Sequence, residues 1–114
     1  MKSFKEGFPA GHVRHHFVGQ DFGHGVYAKQ LDIPPGYVLV SHSHAYDHLS
    51  ILASGTVRWS ANGVSETLTG PAVVTVAAGC EHTLIAVTRT VWFCVHPTDC
   101  DDADKVDDVI LETV

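Results

Sequence analysis

The chain has 114 residues, 45% of them hydrophobic, and a formal charge of −6 with histidine neutral. That length accommodates one domain with a single core and leaves no room for a second. An acidic surface repels phosphate backbones, which disfavours nucleic acid as a partner, and no run approaches the roughly 18 apolar residues of a membrane span.

Residues 1–20 mix Gly7, Pro9, Gly11 and Gly19 with His12, His15 and His16. No regular period emerges, so a loose N-terminal arm is expected, with the three histidines at its surface. The stretch lacks an apolar run behind a basic segment and does not read as a signal peptide, which predicts a cytoplasmic protein. Residues 21–98 read as a β domain. Its short runs are Val26 to Ile33, Tyr37 to His42, His48 to Ala53, Val57 to Ala61, Val64 to Leu68, Ala72 to Val76, His82 to Thr88 and Val91 to His96. Pro34-Pro35-Gly36, Gly55, Asn62-Gly63, Gly70-Pro71 and Ala78-Gly79 separate them. Asn62-Gly63 is a preferred pair for a two-residue type I′ hairpin, because both central residues need positive φ. Short strands at this spacing predict an all-β sandwich or barrel.

The last segment, 99–114, concentrates the charge: Asp99, Asp101, Asp102, Asp104, Asp107, Asp108 and Glu112 face only Lys105. Such a run reads more readily as a solvated segment than as a binding element. Within it Val106, Val109 and Ile110 stand at i, i+3 and i+4, which predicts one short C-terminal helix over Asp104 to Leu111. Cys80, Cys94 and Cys100 form an odd set without a C-x-x-C pair, arguing for reduced thiols over a disulfide framework or a zinc ribbon.

The chemistry of the chain is in its histidines. Residues at i and i+2 of a strand project to one face, so His42 and His44 can converge on one point, and a short turn can return His48 along a neighbouring strand. His82 stands behind the turn at Gly79. A lone histidine is usually a surface or hydrogen-bonded residue. Several at these offsets suit a metal, for which neutral imidazole is the commonest side-chain ligand.

The spacing Gly36-x5-His42-x-His44-x3-His48-x6-Gly55 resembles the first cupin motif, Gly-x5-His-x-His-x3,4-Glu-x6-Gly, with His48 replacing the acidic ligand. The stretch Gly70 to Ala86 resembles the second motif, Gly-x5-Pro-x-Gly-x2-His-x3-Asn, keeping Gly79 and His82. Ala77 stands for its proline, one residue late, and Ala86 for its asparagine. The resemblance covers the middle half of the chain. It implies a small cupin-type jelly-roll β-barrel that binds one divalent transition metal ion through His42, His44, His48 and His82. Similarity to four-histidine cupins ranks manganese or iron first, then zinc, nickel, copper and cobalt. Cupins commonly pair sheet edges or pack sheet on sheet, which implies a homodimer. Three imidazoles and a carboxylate carry one negative charge and four imidazoles carry none, so this set should make a stronger Lewis acid and favour the metal's lower oxidation state.

Cupin sites typically leave two adjacent coordination positions open, which implies a dioxygenase-type oxidoreductase acting on a small metal-chelating substrate. Two alternatives stand beside it: a non-catalytic metal and small-ligand binding protein or sensor, and a redox-neutral metal-dependent isomerase or lyase. The two motifs contain no clear general acid or base. His96 shares a strand face with Cys94 and Trp92, so it is a candidate acid/base or supporting group if that face looks inward; it can equally cap the strand before Pro97. Lys29 is the one cation within its strand and a candidate to hold a substrate carboxylate, although a strand lysine is more often exposed. Asp47 can orient a ligand imidazole, and Cys80 more readily fills its turn than serves as a fifth ligand.

Overall fold

The computed structural model describes residues 2–3, 12–22, 24–41, 48–77, 79 and 81–97. His42, His44, Tyr46, Asp47, Cys80, Cys100 and the acidic segment 99–114 with its expected helix lie outside the described residues. The described residues form strands β1 (Lys2–Ser3), β2 (Val13–Val18), β3 (Val26–Ile33), β4 (Tyr37–Ser41), β5 (His48–Ser54), β6 (Thr56–Ala61), β7 (Val64–Thr69), β8 (Ala72–Val76), β9 (His82–Ala86) and β10 (Thr90–Pro97). Their regular structure is β apart from 3-10 turns, at His12 and at Gln20–Phe22.

Two sheets of five strands result, ordered β1-β4-β9-β6-β7 and β2-β3-β10-β5-β8. Pairing is antiparallel except for the short parallel ladder of Lys2–Ser3 on Tyr37–Val38. From β3 onward every connection except the β6–β7 hairpin switches sheets, which gives a jelly roll. That hairpin turns at Asn62 and Gly63, with φ of 52° and 75°, as the sequence pair predicts.

The core is a set of rows fixed by register. Val13, Leu31, Trp92, Leu52 and Ala72 stand side by side across the second sheet. Leu84 and Trp59 face them from β9 and β6 in the same hydrophobic cluster, and Leu52 and Val57 are fully buried. Burial of such side chains is the main term that holds two sheets together.

One expectation is corrected. The loose arm contains β2, which pairs with β3 from Val13↔Leu31 to Val18↔Val26 and closes one edge of the second sheet. Its period of two is real: Val13, His15 and Phe17 are half-buried while Arg14, His16 and Val18 are exposed. Histidine occupies an inward position and counts as polar in a hydropathy reading, so the alternation was hidden. His15 is therefore no surface residue. Its Nδ1 shares a 2.6 Å hydrogen bond with the Tyr27 hydroxyl, and the rings stack at 5.7 Å. His12 Nδ1 donates to the Asp32 carbonyl over 2.8 Å.

Candidate functional site

β5 enters the second sheet at His48, whose side chain takes the inward parity of Ser50 and Leu52. β9 enters the first sheet at His82, inward with Leu84 and Ala86. Both imidazoles are 7% exposed, and their ring centres stand 6.2 Å apart across the interior. Chain connectivity explains the meeting: β4 ends at Ser41, paired with His82, and residues 42–47 lead from there to His48. The first motif thus starts on one sheet and finishes on the other. The second motif reaches the same end of the barrel, because β8 ends at Val76 opposite His48 before the chain crosses to His82.

His96 joins this pair. Trp92 and His96 are both buried, so the even positions of β10 look inward, as the conditional reading of that strand required. The His96 ring stacks on His48 at 4.5 Å and 29°. On its other side lies Tyr27, fully buried, at 6.4 Å and 20°, and Phe17 stacks on Tyr27 at 5.0 Å. A ladder of four rings, Phe17, Tyr27, His96 and His48, therefore crosses the second sheet. From the first sheet, Trp59 lies against His82 at 4.9 Å and stacks on Trp92 at 5.6 Å. The two buried indoles thus form an apolar layer beneath His82.

Lys29 lies one row further in. It is half-buried, registers with Cys94 on one side and His15 on the other, and shares the inner face with Tyr27 and Leu31. Rows on one face are about 6.6 Å apart, so Lys29 neighbours the ring ladder without being part of it. Tyr27 and Trp59 are site neighbours that the residue pattern did not single out. Their proximity comes from strand register and sheet packing, which no local spacing encodes.

Whether the pair suits a shared ion is a question of reach. With a bond of about 2.1 Å and about 1.1 Å from nitrogen to ring centre, two imidazoles on one ion have centres at most roughly 6.4 Å apart, the two nitrogens then lying on opposite sides of the ion. The observed 6.2 Å lies within that limit. Among the described residues, no group of three or more His, Cys, Asp or Glu is arranged to hold a metal. His96 stacks flat on His48 instead of converging with it. His42 and His44, the other two expected ligands, lie outside the described residues.

Neither a protein-family model nor a curated protein matches the chain. Solved structures do. KdgF from Halomonas sp. aligns with a TM-score of 0.61 at 11% identity, over 75% of this chain and 80% of that one. A cupin-2 domain protein from Shewanella frigidimarina aligns with a TM-score of 0.58 at 17% identity, over 75% and 80%. A predicted oxalate decarboxylase from Thermotoga maritima gives 0.53 at 11%, over 76% and 93%. At such identities the likeness carries the fold alone, and that fold is the small cupin jelly roll. Among the described residues no helix is long and apolar enough to cross a membrane.

Proposed function

We propose that this cupin-fold domain binds one divalent transition metal ion through His42, His44, His48 and His82 and acts as a dioxygenase-type oxidoreductase on a small metal-chelating substrate in the cytoplasm. One observation carries the reading: two imidazoles from opposite sheets, both buried, stand 6.2 Å apart, within reach of a shared ion, at the barrel end where β4 stops and β5 and β9 start. The neutral, all-nitrogen donor set accepts several first-row ions, and the resemblance to four-histidine cupins ranks manganese or iron first, then zinc, nickel, copper or cobalt. Such an ion supplies Lewis acidity and a redox couple beside a chelating oxygen ligand.

The chain's own residues then have defined tasks. His96 and Tyr27 fix the plane of the His48 ring by stacking, and Trp59 does the same for His82. The buried indole pair makes the inner side of His82 apolar. Lys29, on the inner face one row away, offers a cation to a substrate carboxylate.

The test is elemental analysis of untagged protein purified without chelator, with the double variant His48→Ala, His82→Ala beside it. About one transition ion per chain is expected for the wild type and a sharp loss for the variant; stoichiometric metal in the variant sinks the ligand assignment. Incubation of the loaded protein with small oxo acids and diketones while dioxygen is monitored then separates the chemistries. Dioxygen uptake coupled to substrate loss supports the dioxygenase. Turnover without uptake replaces it with an isomerase or lyase, and binding without turnover with a sensor.

A further inference from the structure

The two sheets differ on their outer faces. On the first, β6 and β7 bond their side chains to each other, Thr56 to Thr69 at 3.1 Å, Arg58 to Thr67 at 2.9 Å and Ser60 to Ser65 at 2.7 Å, which suits contact with water. On the second, strand register sets two apolar rows side by side: Ala28, Val95 and Leu49, then Phe93, Ile51 and Val73. Polar residues bound this strip. Arg14, His16 and Gln30 stand on its β2–β3 side, and exposed Thr75 continues the first row beyond Leu49. Within it Leu49 remains 40% and Val73 67% exposed. Antiparallel sheets with a solvated face alternate polar and apolar residues, yet the outward positions Val91, Phe93 and Val95 of β10 are all apolar.

The strip is narrow. Three strands about 4.8 Å apart and two rows about 6.6 Å apart project roughly 200 Å², far below the roughly 800 Å² per partner of a stable interface between chains. The area matches one short helix, about 10 Å across and, for eight or so residues, about 12 Å long. The chain carries a segment of that size. Residues 98–114 follow directly on β10, which contributes to both rows, and Val106, Val109 and Ile110 stand at the offsets of one helical face. Phe93 lies about 13 Å back along β10 from Pro97, and residues 98–103 can span up to about 20 Å.

Charge selects the same occupant. Seven of the 13 acidic side chains and one of the seven basic ones stand in 99–114, so this segment carries the whole charge of −6 and the remainder of the chain is neutral. The sheet therefore does not repel it, and exposed Arg14 beside the strip offers its carboxylates a cation. Two copies packed through this face would instead bring two such segments together, like charge on like.

We propose that the segment Asp104 to Leu111 docks on the outer face of its own second sheet, with Val106, Val109 and Ile110 seated on Leu49, Ile51, Phe93 and Val95 and its carboxylates turned to water and to the Arg14 edge. Leu49 and Val95 alternate along the chain with His48 and His96, so the docked segment backs the wall that holds the imidazoles. The proposal does not depend on metal binding.

Trypsin tests it on the full chain, because Lys105 is the one basic residue of the segment. Cleavage after Lys105 should be on the order of tenfold slower than in a free peptide of residues 98–114, and independent of protein concentration, since proteolysis follows the undocked population. Leu49→Asp and Val73→Asp, both at exposed positions of the strip, and Ile110→Asp within the segment should each raise the rate toward that of the matching peptide while keeping the far-ultraviolet spectrum of the wild type. Val64→Asp, on β7 of the first sheet, should leave cleavage slow. Peptide-like cleavage of the wild type overturns the proposal, as does protection that survives all three strip and segment variants. Protection that grows with protein concentration, alongside twice the chain mass in sedimentation, assigns the strip to a second copy and overturns it as well.

Discussion

Gly55→Ala isolates what the closing glycine of the first motif does. Gly55 turns the chain from β5 on the second sheet to β6 on the first with φ +97°, a left-handed value that L-residues adopt at a cost of about 1–2 kcal/mol. A Cβ there would also run into the Arg89 carbonyl oxygen and stand 2.8 Å from Thr90 Oγ1 and 2.9 Å from Thr90 Cα. Two of these three atoms are backbone, so relief requires the β9–β10 connection to move, an overpacking cost of about 1–3 kcal/mol. The total loss is roughly 2–5 kcal/mol before the same unfolded-state offset of about 0.4–1 kcal/mol that any Gly→Ala change carries, a large fraction of the 5–15 kcal/mol that holds a domain of this size. The control is Gly36→Ala. Gly36 has a similar φ of +86°, yet nothing lies within 4 Å of an added Cβ. Its strain is partly offset by about 0.4–1 kcal/mol from the stiffer unfolded chain, so the net change stays near 1 kcal/mol. Urea unfolding followed through the buried Trp59 and Trp92 should show a midpoint for Gly55→Ala far below wild type, with Gly36→Ala close to it. Equal losses for the two variants would show that backbone conformation alone governs both sites and would refute the contact argument.

The remaining predictions concern pH. Protons and metal compete for the same imidazole nitrogens, so metal affinity should fall as pH drops through about 6.5 and below; a titration with unchanged affinity between mildly acidic and neutral pH would point to carboxylate or thiolate ligands instead. At the other end of the barrel, the Arg89 guanidinium donates to both Asp32 oxygens at 3.2 and 2.7 Å, and this holds the Asp32 carboxyl below its usual range. A carboxylate whose folded value is lowered stabilises the fold at neutral pH and loses that contribution as pH falls through the lowered value. Arg89→Gln should return Asp32 to the ordinary carboxylate range in an NMR titration, with little change in stability because the guanidinium is well solvated.

Much of the fold was legible because turns are written locally. Asn62-Gly63, Pro34-Pro35-Gly36 and Gly70-Pro71 punctuate the chain where strands end, and the stretches Val26–Ile33 and Ala72–Val76 coincide with β3 and β8. The arm misled for a physical reason: His15 is an amphipathic ring that stacks on Tyr27 while its nitrogen bonds the phenol, so it fills an inward slot that a hydropathy pattern assigns to water. The sidedness of β10 stayed open in sequence because Trp92, Phe93, Cys94 and Val95 offer apolar atoms to both faces. Register resolves it: Trp92 stands between Leu31 and Leu52 in the core row, which sends His96 inward with it.

The same distinction bears on the histidines. Offsets of two and four residues between His42, His44 and His48 are local and could be read; the convergence of His48 with His82, more than thirty positions later, could be expected only from a family pattern. In the structure that convergence follows from two pairings, Ser41 with His82 and His48 with Val76, which bring both ends of 42–47 and the start of β9 to one end of the barrel. A third consequence had no motif to announce it. Because β10 lies between β3 and β5, His96 is held between Tyr27 and His48, so one strand supplies the stack that fixes a candidate ligand on its inner side and the apolar strip on its outer side. Substitutions on either face of β10 therefore act on the same wall.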